Sequence, residues 1–451
     1  MSAIKVASRN GVKPFRDGSV SIDTVVARLK VGSLARRVST FLRRRIGNEI
    51  RLLQTTASSL NPRARELVLR ADKARDDADV AAQSHDTLEI ARAITQLRSA
   101  DSLLAIAERE DRAWLGPLID RGWVALTIAN LQSGAPRDSA FGSAMGHAAR
   151  ALGRNTRNAG ALELRGTVFY SQAALLPLAD TKFDDYLGRA AQDLEAALRV
   201  DSALASAWGT LSRVHVARGH VADAEQAART ALARDAYVKD APSILQTLFG
   251  ATLMRDSLAA SWTWCERGST DYPRDPRFVQ CRLTLLAEDG SRKPDPKLAW
   301  ALVGEANRLD PQSRAQAVGR PWFPIYRDML GAVVSARAGD IDSARAVARR
   351  ARLAVANDST LGVDLKYEEA LLSLVMGDRQ RTLNSRCCAN TSRLAPHWRD
   401  LSRSIRAGAR YGPTRLLPRF FLRDATGPWA QIPSSLIEIE SLNRRGTTLR
   451  Q

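Results

Sequence analysis

Few residues in this chain are of types that do chemistry, and their spacing is poor for it. The histidines are His85, His147, His215, His220 and His397, and the cysteines are Cys265, Cys281, Cys387 and Cys388. Thiolates and imidazoles hold a zinc-class ion when a short spacer lets two of them point at one centre. Cys387, Cys388 and His397 contain no such spacer, because adjacent cysteines lack the CxxC geometry, so no metal site is expected. No phosphate-cradling P-loop, dinucleotide glycine fingerprint, HExxH zincin helix, nucleophile elbow or protein-kinase landmark occurs in the sequence. The acidic pair Asp184 and Asp185 reads as a solvated loop. Neither a catalytic constellation nor a cofactor site is expected, and the chain reads as a non-enzyme.

The elements that would position these residues are helices. The chain has 451 residues, 45% hydrophobic and only 6% aromatic, with Ala and Leu prominent and few β-branched runs. That composition favours strong helix formers. Its length allows one extended array or two to three compact domains.

Internal repetition decides between these. The segment ASAWGTLSRVHVARGHVADAEQAARTALARDAY, starting at Ala205, places Trp208, Leu211, Gly219, Ala224, Ala231 and Leu232 where a 34-residue tetratricopeptide (TPR) unit places its Trp, its Leu, its turn glycine and its small residues. His215 and Val221 depart from that pattern, since bulky aromatics are usual there. His215 is expected to be a satisfied core imidazole.

A pair of small residues seven apart then recurs along the chain. The pairs are Ala100 and Ala107, Ala144 and Ala151, Ala190 and Ala197, Ala224 and Ala231, Ser261 and Gly268, Ala299 and Ala306, Ala344 and Ala351, and Thr382 and Ala389. Seven residues is about two helical turns, so each pair marks one packing face of a second helix. Gly219, Gly339 and Gly377 suit turns, and Pro273, Pro311 and Pro396 follow second helices. Gly122 and Gly166 fall in first helices, where a small residue lets the partner helix close in. Extra residues near 133–140 and 174–184 read as longer helices or loops on one edge. The expected fold is an all-α, right-handed α-solenoid of about eight TPR-like antiparallel helix pairs. A compact bundle would have no reason to repeat its packing marks.

Four segments follow: an irregular stretch 1–24, a basic amphipathic lead-in helix 25–60, the solenoid 61–396 and a basic, irregular tail 397–451. The formal charge of +19 belongs to the ends. Residues 1–70 hold 15 basic and 4 acidic side chains and residues 379–451 hold 14 and 4, which leaves the middle at about −2. A nearly neutral array is not a groove built to track phosphates, so nucleic acid is not the expected partner. No apolar segment has the length of a secretory or membrane-spanning signal. The expectation is a cytoplasmic chain, or an extracytoplasmic one should a head domain outside it carry an anchor.

In the repeat register Cys265 lies on a second helix facing the next unit, and Cys281 lies near the start of that unit's first helix, so the two can meet. A disulfide would need an oxidising compartment. Packed thiols need none, and the chain is read that way, with the disulfide as the alternative.

Several stretches resemble the C-terminal half of bacterial multidomain proteins in which a TolB-like segment precedes TPR repeats, often behind a serine/threonine kinase or transcription-regulator head. They are SLARRVSTFLRRRIGNEI, ADSLLAIAEREDRAWLGPLIDRGWVAL, ALELRGTVFY, AAQDLEAALRVDSALASAWGTLS, CERGSTDYPRDPRFVQCRL and LVMGDRQRTL. The head domains are absent, so the resemblance carries over no kinase activity. TPR domains that grip a C-terminal carboxylate use a Lys and an Asn four apart on a first helix. Here those places hold Glu163 and Thr167, or Gly209 and Arg213, and that clamp is not expected.

The function these readings support is a non-catalytic scaffold binding a protein or peptide partner on the concave face lined by first helices. Ile119, Trp123, Glu163, Thr167, Tyr170 and Arg213 are the candidate partner-binding residues. The alternative is a regulatory module that associates with nucleic acid, or with a kinase or transcription-regulator system, through its basic ends.

Overall fold

The computed structural model describes residues 59, 61–82, 86–176, 180–235, 238–310, 322–356 and 359–377. The chain divides into two units, residues 1–54 and 55–451. The stretch 1–24, the lead-in helix except Ser59, the tail 397–451, Pro311, Pro396 and the pair Thr382 and Ala389 all lie outside the described residues.

Among those residues the fold is all-α, with no strand. The helices are α1 Pro62–Ala82, α2 Thr87–Glu110, α3 Gly116–Leu131, α4 Gly134–Arg154, α5 Ala159–Ala174, α6 Thr181–Val200, α7 Ala205–Ala217, α8 Val221–Arg234, α9 Ala241–Met254, α10 Leu258–Asp271, α11 Pro276–Glu288, α12 Pro296–Leu309, α13 Trp322–Arg337, α14 Ile341–Ala354 and α15 Ser359–Val375. Each packs on the next, so odd and even helices form antiparallel pairs stacked in sequence order as a solenoid. First helices also touch one another across successive pairs, from α1 against α3 to α13 against α15. The core follows as a series of adjoining apolar clusters running along the stack.

Helix α6 shows why these sequences take this form. Phe183, Leu187, Ala190, Ala191, Leu194, Ala197 and Leu198 fall on one stripe and are buried, leaving Lys182, Asp185 and Arg199 on the wet face. Asp180 starts the helix by accepting from Lys182 N at 2.8 Å, a cap worth about 1 kcal/mol. Burying each large side chain of the stripe contributes about 1.5–3 kcal/mol. Asp184 and Asp185 lie on this helix rather than in a loop. Asp184 sits in the first turn, where the helix dipole favours an anion, and Asp185 pairs with Arg189 one turn on. The extra residues near 133–140 are also helical, forming the first turns of α4 behind Gly134 at φ +61°.

The seven-residue small pairs fall on second helices α2, α4, α6, α8, α10, α12 and α14, and every one of these residues is buried. The reason is steric. A Cβ on Gly268 would lie 2.1 Å from the Phe278 ring, and on first helix α3 one on Gly122 would likewise lie 2.2 Å from Leu164 Cδ2. Gly219, Gly339 and Gly377 take φ +78°, +93° and +76°, a backbone region open to glycine and strained for other residues.

Candidate functional site

The first helices touch one another across successive pairs, and the six candidate partner residues on α3, α5 and α7 divide into two groups by burial. Ile119 and Trp123 on α3 and Thr167 on α5 are half-buried and keep exposed surface. Ile119 and Trp123 are four apart, on one side of α3, and both pack against a core cluster shared by α3, α4 and α5. Thr167 donates to the Glu163 carbonyl at 2.8 Å, a bond within its own helix.

Glu163, Tyr170 and Arg213 are buried, and their side chains serve contacts between helices. The Arg213 guanidinium lies 5.3 Å from the Tyr170 ring centroid, pairs with Asp240 before α9 and donates to Thr210 Oγ1 at 3.1 Å. Burial opposes its charge, but Asp240 and Tyr170 outweigh that and hold its pKa above the ordinary value. Burial raises the Tyr170 phenol to about 12, against the lowering effect of Arg213. Burial likewise raises Glu163, opposed by a hydrogen bond to Ser206. These three side chains join α5 to α7, and α7 to the loop entering α9.

Other ionic knots do similar work. Arg165 on α5 grips Asp193 on α6 through two bonds of 2.7 Å, the planar fork that suits Arg to carboxylate. Glu108 on α2 receives Arg121 from α3 and Arg150 from α4. Lys239, before α9, meets Asp79 on α1 at 2.5 Å across 160 residues of sequence. This pair links the end of α1 to the loop entering α9, with the first helices α3, α5 and α7 between them in the chain. Helix α9 is apolar almost throughout, and Ser243 to Leu253 are all buried, so it offers little free surface.

Two expectations about chemistry-bearing residues change. Cys265 and Cys281 are joined as a disulfide between α10 and α11, with Cα atoms 5.9 Å apart, rather than packed as free thiols. The repeat register had brought them together. What it could not supply was whether the two Cβ vectors converge, which decides whether a bond can close. His215 is half-buried rather than a satisfied core imidazole, and its Nδ1 is buried without a hydrogen-bond partner. Its ring faces His220 across the α7–α8 turn, centroids 6.0 Å apart. Sequence reading passed over that juxtaposition, although the turn glycine between them was its one available signal. No helix among the described residues is long and apolar enough to cross a membrane.

No protein-family model matches the chain, and no curated protein matches it in sequence. Among solved structures it is similar to a thermophilic TPR protein of Thermus thermophilus, at 17% identity over 47% of this chain and 96% of that one, with a TM-score of 0.34. It is also similar to a tetratricopeptide repeat protein of Parabacteroides merdae, at 16% identity over 69% and 98% of the two chains and a TM-score of 0.33. A third likeness is to YrrB, a TPR protein with an unusual peptide-binding site, at 16% identity over 49% and 97% and a TM-score of 0.34. The architecture described above rests on this chain's own helix pairs.

Proposed function

We propose that this chain is a non-catalytic scaffold of TPR type that holds a peptide or helix of a protein partner against its stacked first helices. The observation that supports this most directly is the pair Ile119 and Trp123, apolar, four residues apart and partly exposed on α3, with the half-buried Thr167 on the next first helix, α5. A half-exposed Trp beside an aliphatic residue offers a partner side chain apolar contact at low entropic cost, the usual chemistry of an interface anchor. Glu163, Tyr170 and Arg213 fix α5 against α7.

A photo-crosslinking residue placed at Trp123 or Thr167, and separately at exposed Leu353 on second helix α14, tests the reading in cell extract. Crosslinks to one partner polypeptide from positions 123 and 167 and none from 353 are the expected pattern. Equal capture from 353, or none from the first-helix positions, would overturn it.

A further inference from the structure

We propose that His215, His220 and Asp223 form a binding site for a zinc-class divalent cation at the α7–α8 turn. One donor atom from each residue lies within 4.8 Å of the other two. A tetrahedral ion bound at about 2.0–2.2 Å holds its donors about 3.3–3.6 Å apart. The donors therefore need to close by at most about 1.2–1.5 Å. His220 and Asp223 are exposed, so changes of side-chain rotamer supply that movement without disturbing the core. Two imidazoles and a carboxylate form a donor set of borderline softness, suited to zinc, cobalt or nickel rather than to calcium or magnesium.

The backbone already holds this arrangement. His220 N donates to the His215 carbonyl at 2.8 Å, and Gly219 N donates to the Val216 carbonyl at 2.9 Å with Gly219 at φ +78°. The α13–α14 turn makes the same bonds, from Asp340 N to the Ser335 carbonyl and from Gly339 N to the Ala336 carbonyl, each 3.0 Å, with Gly339 at φ +93°. There the cap position is Asp340, whose carboxylate accepts from Ser343 N at 3.2 Å and so begins α14 in the ordinary way. In the α7–α8 turn those three places hold His215, His220 and Asp223, and the His220 side chain makes no capping bond. The turn that resembles a TPR unit most closely thus gives up a helix cap where its side chains converge as metal donors. His215 adds a buried Nδ1 with no partner.

The site is tested by calorimetric titration of the full chain with zinc chloride, alongside His220→Ala and Asp223→Asn at the exposed positions, with folding checked by circular dichroism. The expected result is one zinc bound by the parent chain that either substitution weakens at least about 100-fold. Zinc is also expected to raise the unfolding midpoint of the parent and leave that of the variants unmoved. Equal zinc affinity and stoichiometry in all three proteins, or no uptake by the parent at millimolar zinc, would overturn the site.

Discussion

Arg327 on α13 and Asp310 at the end of α12 form an ion pair at 2.9 Å with side chains only 3% and 4% exposed. The same guanidinium donates to Asn307 Oδ1 at 3.0 Å and Gln280 Oε1 at 3.2 Å, and so joins α11, α12 and α13 in one polar node. Two charges withdrawn from water this far depend on each other, because neither has solvent to fall back on.

The node therefore predicts a sharp asymmetry between single and paired substitutions. Asp310→Ala strands the guanidinium and is expected to cost about 3–5 kcal/mol, whereas Arg327→Met combined with Asp310→Leu is expected to lie close to the parent. Urea unfolding of the three proteins measures both. A double variant as unstable as the single one would show that the node contributes more than the mutual need of two buried charges.

Two glycines on second helices predict effects of opposite sign. Gly268 leaves no room for a methyl group against the Phe278 ring, and Gly268→Ala is expected to cost about 1–3 kcal/mol through overpacking. Gly304 on α12 is exposed and has nothing within 4 Å of an added Cβ. Gly304→Ala should gain about 0.5–1 kcal/mol from the helix propensity of Ala. Thermal unfolding of the pair gives the signs directly.

Glu288 predicts a pH dependence. Its side chain is buried and neither carboxylate oxygen has a hydrogen-bond partner. Burial above all, with Glu368 and Asp256 adding, pushes its pKa well above the ordinary 4.5. The folded chain then keeps this proton at pH values where the unfolded chain has released it. Proton binding by the folded state favours folding, so this contribution is complete below about 4.5 and declines as pH rises toward the raised value, at up to about 1.4 kcal/mol per pH unit. Glu288→Gln keeps the shape without the titration. Its stability is expected to exceed that of the parent increasingly from pH 5 to pH 8. Parallel curves for the two proteins in denaturant titrations across that range would refute the assignment.

How far the sequence could be read depends on which kind of interaction set each feature. Helix pairing was legible because it is local. Two small residues seven apart mark one side of a helix wherever the neighbouring chain lies, and a turn glycine is demanded by backbone geometry alone. The small pairs from Ala100 and Ala107 to Ala344 and Ala351 consequently fall on second helices, all buried. Exposure on the first helices was legible only in part. Glu163, Tyr170 and Arg213 stand on first helices as their spacing implied, but α7 and the loop before α9 close over them. Nothing within a single repeat reports how near the next one comes.

By itself, then, the sequence determined the all-α helix-pair architecture, the register of its turns and the absence of the familiar catalytic motifs, since periodicity and backbone demands are written residue by residue. Tertiary structure decided what depends on directions in space. It set which side chains of a first helix remain open, that the Cβ vectors of Cys265 and Cys281 converge, and that His215, His220 and Asp223 come within 4.8 Å of one another. A sequence spacing limits how far apart two residues can be, and only the packed backbone determines where their side chains point.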